Sequence, residues 1–236
     1  MHLLTSRYLS AFAEIEQRLG AVVGASSFKT FYDLLGKAAD VSAAVRRNEA
    51  TLRELADLRN VLVHRHNHLV ELAIPNERTV VQLEGLAKLI AAPPRLDSMF
   101  SMPVETCAPS DSVQLAAQKM IRGDFSQVPV VQEGRVVDLL TTETITRWMA
   151  VQLGRDGLLE AAPVGEVLRH KENKSTFKML ARGASAFDAI ESFDDALHAG
   201  HTYDAILLTQ NGKQTESLIG ILTPFDIPRL LNATRV

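Results

Sequence analysis

A single cysteine, Cys107, stands in the whole chain, so no internal disulfide can staple the fold. A lone thiol points to a reducing compartment, and its expected state is inert and partly buried. No apolar run reaches the length of a membrane-spanning helix, and no apolar signal segment follows a basic start. The chain is therefore expected in the cytoplasm, with no membrane partner. Neither sign of charge dominates: 25 Lys and Arg face 28 Asp and Glu, for a net charge of −3 and a pI near 6.2. A global basic field is missing, so any contact with nucleic acid has to be local. What is present is an ordinary 46% of apolar residues over 236 positions, enough to build one large domain or two modest ones.

The amino-terminal part reads as helices. Apolar residues recur at three- and four-residue spacing through Tyr8-Leu9, Phe12, Ile15 and Leu19, then Phe28, Phe31-Tyr32 and Leu34-Leu35, then Leu52, Leu55, Leu58 and Leu62. Gly24-Ala25-Ser26-Ser27 breaks the pattern and offers a cap before Phe28, and Ile74-Pro75-Asn76-Glu77 breaks it again before a last helix through Leu83, Leu86, Ala87 and Ile90. These signals predict a four-helix unit over residues 1–92. Pro93-Pro94 cannot sit inside a helix, which places a linker at 93–98.

From Val104 onward, short apolar strands alternate with helical windows at Ser112 to Arg122 and Ala186 to Ala199. Asp111 or Ser112 and then Ser185 stand as matching helix caps. The stretch also repeats itself. Val128-Pro129-Val130-Val131 followed by Val136 to Ile145 is echoed by Ala205-Ile206-Leu207-Leu208 followed by Leu218 to Ile227. Each copy is strand, turn, strand, and a Thr-x-x-Thr or Thr-x-x-Asp step into a helix, a unit too small to bury its own apolar face. Two copies must pack together.

This arrangement resembles a tandem pair of CBS domains, with first and second repeats at about 99–155 and 164–233 of a body spanning 99–236. The resemblance implies β-α-β-β-α repeats, flat homodimers, and an adenine nucleotide in a cleft between repeats: AMP, ADP, ATP or S-adenosylmethionine. By matching positions, Gly220 to Ile227 would form the phosphate-facing junction, with Thr223 as donor and Asp226 accepting from the ribose hydroxyls. Phe177, Ala205 and Ile206 would flank the base. The first copy carries Thr141 and Thr144, so its cleft lacks the ribose carboxylate. Capping alone would also explain Thr223 and Asp226.

One helical segment carries polar residues outside its apolar stripe. Around the segment Asp57 to His68, Leu55, Leu58, Leu62 and Leu69 share a face, Arg59 lies beside it, and Asn60 and His64 fall opposite. An Arg, a polar residue and a His at this spacing resemble the R-x4-6-H motif of HEPN domains, and Phe12 to Leu19 also looks like that family. The resemblance implies dimeric, metal-independent ribonucleases in which Arg59 would hold the scissile phosphate, His64 would move a proton and Asn60 would orient them. A solvated helix face with Arg59 paired to Glu54 or Asp57 would account for the same residues. His64, His68 and Glu71 at i, i+4 and i+7 form a set zinc could accept, but a His-rich helix end before Pro75 serves equally as a dipole partner, and no metal is expected.

The expected architecture is therefore α+β, an all-α amino-terminal bundle followed by a tandem repeat pair. The expected function is a regulatory protein that senses an adenine nucleotide. The alternatives are an endoribonuclease, with RNA as substrate, under control of the repeat pair, and a non-catalytic dimeric adaptor.

Overall fold

The computed structural model describes residues 2–24, 29–64, 73–100, 102–172 and 176–236, with backbone alone at 64, 155 and 156. Eleven α-helices and five strands are described, so the class is mixed, with a helical amino-terminal region. Two compact units result. The first holds residues 1–94 with 185–191 and 229–236, and the second holds 95–184 with 192–228.

In the first unit, α1 (Leu3–Val23), α2 (Phe31–Val41), α3 (Ala43–Arg47), α4 (Glu49–His64) and α5 (Glu77–Ala91) replace the four expected helices with five. The extra one arises because Ser42 ends α2 in an extended conformation and then caps α3, its hydroxyl accepting from Val45 N–H. The predicted break before the last helix is real, with Asn76 capping α5 by accepting from Thr79 N–H at 2.9 Å. The cap placed at Ser26-Ser27 and the stripe residues Phe28 and Leu69 lie outside the described residues. Tyr8, Ile15, Leu19, Leu34, Leu35, Leu52, Leu83 and Leu86 fill the core. Tyr8 is buried there without cost to its hydroxyl, which donates to the Leu55 carbonyl at 2.6 Å.

The second unit begins with α6 (Leu96–Phe100) and α7 (Val113–Gly123) and continues through β1 (Gln127–Gln132), β2 (Arg135–Thr141), α8 (Thr142–Asp156) and α9 (Val164–Val167). β3 (Phe177–Ala181), β4 (Ala205–Thr209) and β5 (Gly220–Leu222) follow, with α10 (Ala186–His198) between β3 and β4 and α11 (Ile227–Ala233) after β5. β1 and β2 form an antiparallel pair, while β3, β4 and β5 form a three-stranded sheet with β3 parallel and β5 antiparallel to β4. Val128 lies opposite Leu140 and Ile206 opposite Leu222, so the two pairs superpose with Val128 on Ile206, one residue away from the echo read in the sequence, which set Val128 against Ala205. The β-α-β-β-α pattern holds in the second copy. In the first copy the leading strand shrinks to one bridge, Cys107 with Val130. Pro103 and Pro109, with no N–H to donate, bracket that short segment.

Both predicted caps form. Ser112 accepts from Leu115 N–H at 3.2 Å, and Ser185 exchanges hydrogen bonds with Asp188 in a capping box. Val136 and Leu139 of the first copy share a buried cluster with Ala205 and Leu207 of the second, so each copy covers the other's apolar face. The copies differ where Asp138 aligns with Gly220. A Cβ at Gly220 would stand 2.3 Å from the Phe100 carbonyl oxygen, so only glycine fits. Asp138 instead forms an ion pair with Lys171.

Candidate functional site

The two strand-to-helix junctions of the repeat pair share a position in their copies and differ in surroundings. At the second, Thr223 and Phe225 line a cavity of about 630 Å³ together with Met120, Ile121, Asp124, Phe125, Ser126, Gln127 and Thr142 of the first repeat. That volume lies in the range of small-molecule sites. Phe225 is 89% exposed and Ile121 82%, so two large apolar side chains stand in water at its walls. The hydroxyls of Ser126, Thr142 and Thr223 supply donors and acceptors.

Asp226 does not line this cavity. Its Oδ2 accepts from Thr223 N–H at 2.8 Å and from the Thr223 hydroxyl at 3.3 Å, closing a capping box. Oδ1 has no partner among the described residues. Ala205 and Ile206 have no exposed surface, and Phe177, paired with Ala205 in the β3–β4 ladder, packs on the cluster shared by the two copies. The structure brings Thr223 together with Phe225, Ile121 and the 124–127 loop, and it keeps Ala205 and Ile206 in the core with Phe177, partly exposed, packed against it. An aromatic residue between Thr223 and Asp226 was the signal in the sequence that could have pointed to Phe225.

At the first junction, Thr141 accepts from Thr144 N–H at 3.1 Å, and the two hydroxyls lie 3.0 Å apart. The cavity is small, about 60 Å³, and polar, lined by Glu143, Lys171, Glu172, Thr176, Thr202 and Asp204 besides the two threonines. Burial, and then the nearby Glu143, raise the Asp204 carboxyl above its ordinary value, against a lowering by Lys171. Lys171, nearly buried, is already committed to Asp138, and Glu172 pairs with Arg147. The lining therefore carries more acid than free base and is ill suited to phosphate.

In the helical unit, Arg59 and Asn60 line one cavity of about 340 Å³, so Asn60 is half-buried and not on a solvent face. Arg59 sits 5.8 Å from the Phe12 ring centroid and donates to the Asn60 side-chain oxygen at 3.4 Å. Among the described residues no carboxylate pairs with Arg59. Asp57, one of its expected partners, accepts from the Tyr32 hydroxyl and holds that phenol above its ordinary pKa. The His64 side chain, His68 and Glu71 lie outside the described residues. Among the described residues no three His, Cys, Asp or Glu side chains are grouped to hold a metal ion, and no helix is long and apolar enough to cross a membrane. Cys107 is buried, and that burial pushes its thiol up to about 11, away from thiolate chemistry.

The family model for the CBS domain matches residues 98–151. That stretch holds the first repeat, from α6 to most of α8. No curated protein matches the chain. Among solved structures, a CBS domain pair of protein MJ0100 in complex with 5′-methylthioadenosine and S-adenosyl-L-methionine is 16% identical, with a TM-score of 0.44 over 61% of this chain and 99% of that one. CBSX2 in complex with AMP is 15% identical, with a TM-score of 0.42 over 60% and 99%. A conserved protein from Pyrococcus horikoshii is 24% identical, with a TM-score of 0.43 over 61% and 93%.

Proposed function

We propose that the repeat pair is a regulatory module that takes an adenine nucleotide at the second junction. The reading is carried by one observation: the 630 Å³ cavity has walls from both repeats, with hydroxyls at Thr142 and Thr223 and apolar surfaces at Phe225 and Ile121. The match of the CBS-domain family to residues 98–151 supports it. In this reading the base lies against Phe225 and Ile121 and the hydroxyls of Thr142 and Thr223 meet the ribose and phosphate, while Asp226 holds Thr223 from outside the cavity through their capping box. The ligand acts on the HEPN-like helical domain, in a homodimer, by binding one arrangement of the repeats more tightly than another. Thermal melts of the full chain with AMP, ADP, ATP and S-adenosylmethionine test it. A ligand at a hundred times its dissociation constant stabilises by about 2.7 kcal/mol, and a flat response to all four would leave a non-catalytic adaptor.

A second reading, RNA cleavage by Arg59, Asn60 and His64, is favoured by the guanidinium of Arg59, which has no carboxylate partner among the described residues. Incubating a mixed RNA pool with wild type and His64→Ala tests that reading, since cleavage must be present in the first and lost in the second.

A further inference from the structure

The cavity beside Arg59 has walls that contact with a phosphodiester does not call for. Phe12 and Phe31 pack with ring centroids 4.7 Å apart, and Tyr32 meets Phe31 edge-on at 6.1 Å, so three linked rings form one side. Arg59 and Lys29 contribute two positive charges, and Glu16 contributes one negative charge. The other nearby acid, Asp57, is engaged by the Tyr32 hydroxyl. Asn60 donates to that same hydroxyl at 3.4 Å, a long bond that leaves its amide open to a better partner. The Arg59 guanidinium is half-buried and, among the described residues, holds one side-chain acceptor at 3.4 Å, so toward them most of its fork of donors is unspent.

We propose that this cavity is a binding site for a small aromatic monoanion, a single flat ring bearing one carboxylate. The carboxylate meets the Arg59 fork, for which a planar two-oxygen acceptor is the best match, with Lys29 as a second cation. The ring lies against Phe31 and Tyr32 in the offset or edge-on contacts that aromatic pairs prefer. A hydroxyl or amino group at the far end of the ring donates to Glu16, which gives the one acid among the described lining residues a role. With two cations against one carboxylate, a monoanion brings the site to neutrality. This site is independent of the nucleotide cleft, and neither requires the other.

Isothermal titration of the full chain with 4-hydroxybenzoate tests the proposal, alongside benzoate, phenyl phosphate and inorganic phosphate. The expected result is one site for 4-hydroxybenzoate, weaker binding of benzoate, and at least tenfold loss in Arg59→Gln with an unchanged melting temperature. Arg59→Lys, which keeps the charge and loses the fork, should fall between the two. Phenyl phosphate binding more tightly than benzoate would move the anion from carboxylate to phosphate and overturn the class assigned. Failure of wild type to bind any ring compound, undiminished binding by both Arg59 variants, or inorganic phosphate binding as well as 4-hydroxybenzoate would overturn the site itself.

Discussion

Thr141 ends β2 and caps α8, and Thr223 follows β5 and caps the 3-10 turn leading into α11, yet one faces about 60 Å³ of polar space and the other about 630 Å³. The difference does not come from the junctions alone. At Thr141 the opposing repeat brings in Thr202, Asp204, Lys171 and Glu172, and the ion pairs of Lys171 with Asp138 and of Glu172 with Arg147 close the gap. At Thr223 it brings in the 124–127 loop and the end of α7, with Phe225 and Ile121 left in solvent. A repeat conserves the frame of a site, and its neighbour decides whether the frame is open.

The most severe way to break the comparison is to remove what both clefts rest on. Leu139 has no exposed surface and belongs to the cluster shared by the two copies. Leu139→Ala should cost about 2–5 kcal/mol, read from urea unfolding, and should erase nucleotide stabilisation along with it. A more selective break separates the junctions. Thr223→Val should abolish the ligand-induced melting shift of about 2.7 kcal/mol, whereas Thr141→Val should keep the shift and lose only about 1 kcal/mol of cap. Equal loss of the shift in both variants would mean that the clefts are not distinct. Phe225→Ala should weaken nucleotide binding by about 1–3 kcal/mol if the base stacks there.

Asp204 sharpens the contrast through pH. Its carboxyl is raised by burial in the folded chain, so folding favours the protonated form. That stabilisation is complete below the ordinary carboxylate value and is lost as pH rises through the raised one. Asp204→Asn should therefore melt above wild type at pH 7 and converge with it in acid. Asp97, lowered by Arg95 and Arg182, has the opposite sign: its contribution is present at neutral pH and is lost on acidification. A neutral-pH melt of Asp204→Asn below that of wild type would show that its carboxylate is a structural acceptor. The smallest effects belong to the matched caps, where Ser112→Ala and Ser185→Ala should each cost about 1 kcal/mol in the same unfolding measurement.

Much of this was legible in the sequence, because local chemistry controls it. The caps at Ser112, Ser185 and Asn76, the paired strands at 128–131 and 136–140, and the need for two copies to cover one another follow from short-range residue types and periods. The fifth helix was missed because Ser42 closes one helix and opens the next within a single residue. The first repeat's leading strand was expected, but among the described residues it is reduced to one bridge; this was not foreseen because the prolines around Cys107 weigh against pairing only once partners are known.

The sequence by itself determined the class of the fold, the repeat, and the positions of the threonine junctions, since these depend on residues within a few positions of one another. Only the tertiary structure decided that Ala205 and Ile206 belong to the core, that Asp226 spends one carboxylate oxygen on its own helix cap, and that Phe225 is left in water beside Thr223. It also decided that Arg59 stands over the Phe12 ring, in a cavity shared with Phe31 and Tyr32, with no carboxylate partner among the described residues. Burial and charge pairing are sums over neighbours distant in the chain, and no local pattern contains them.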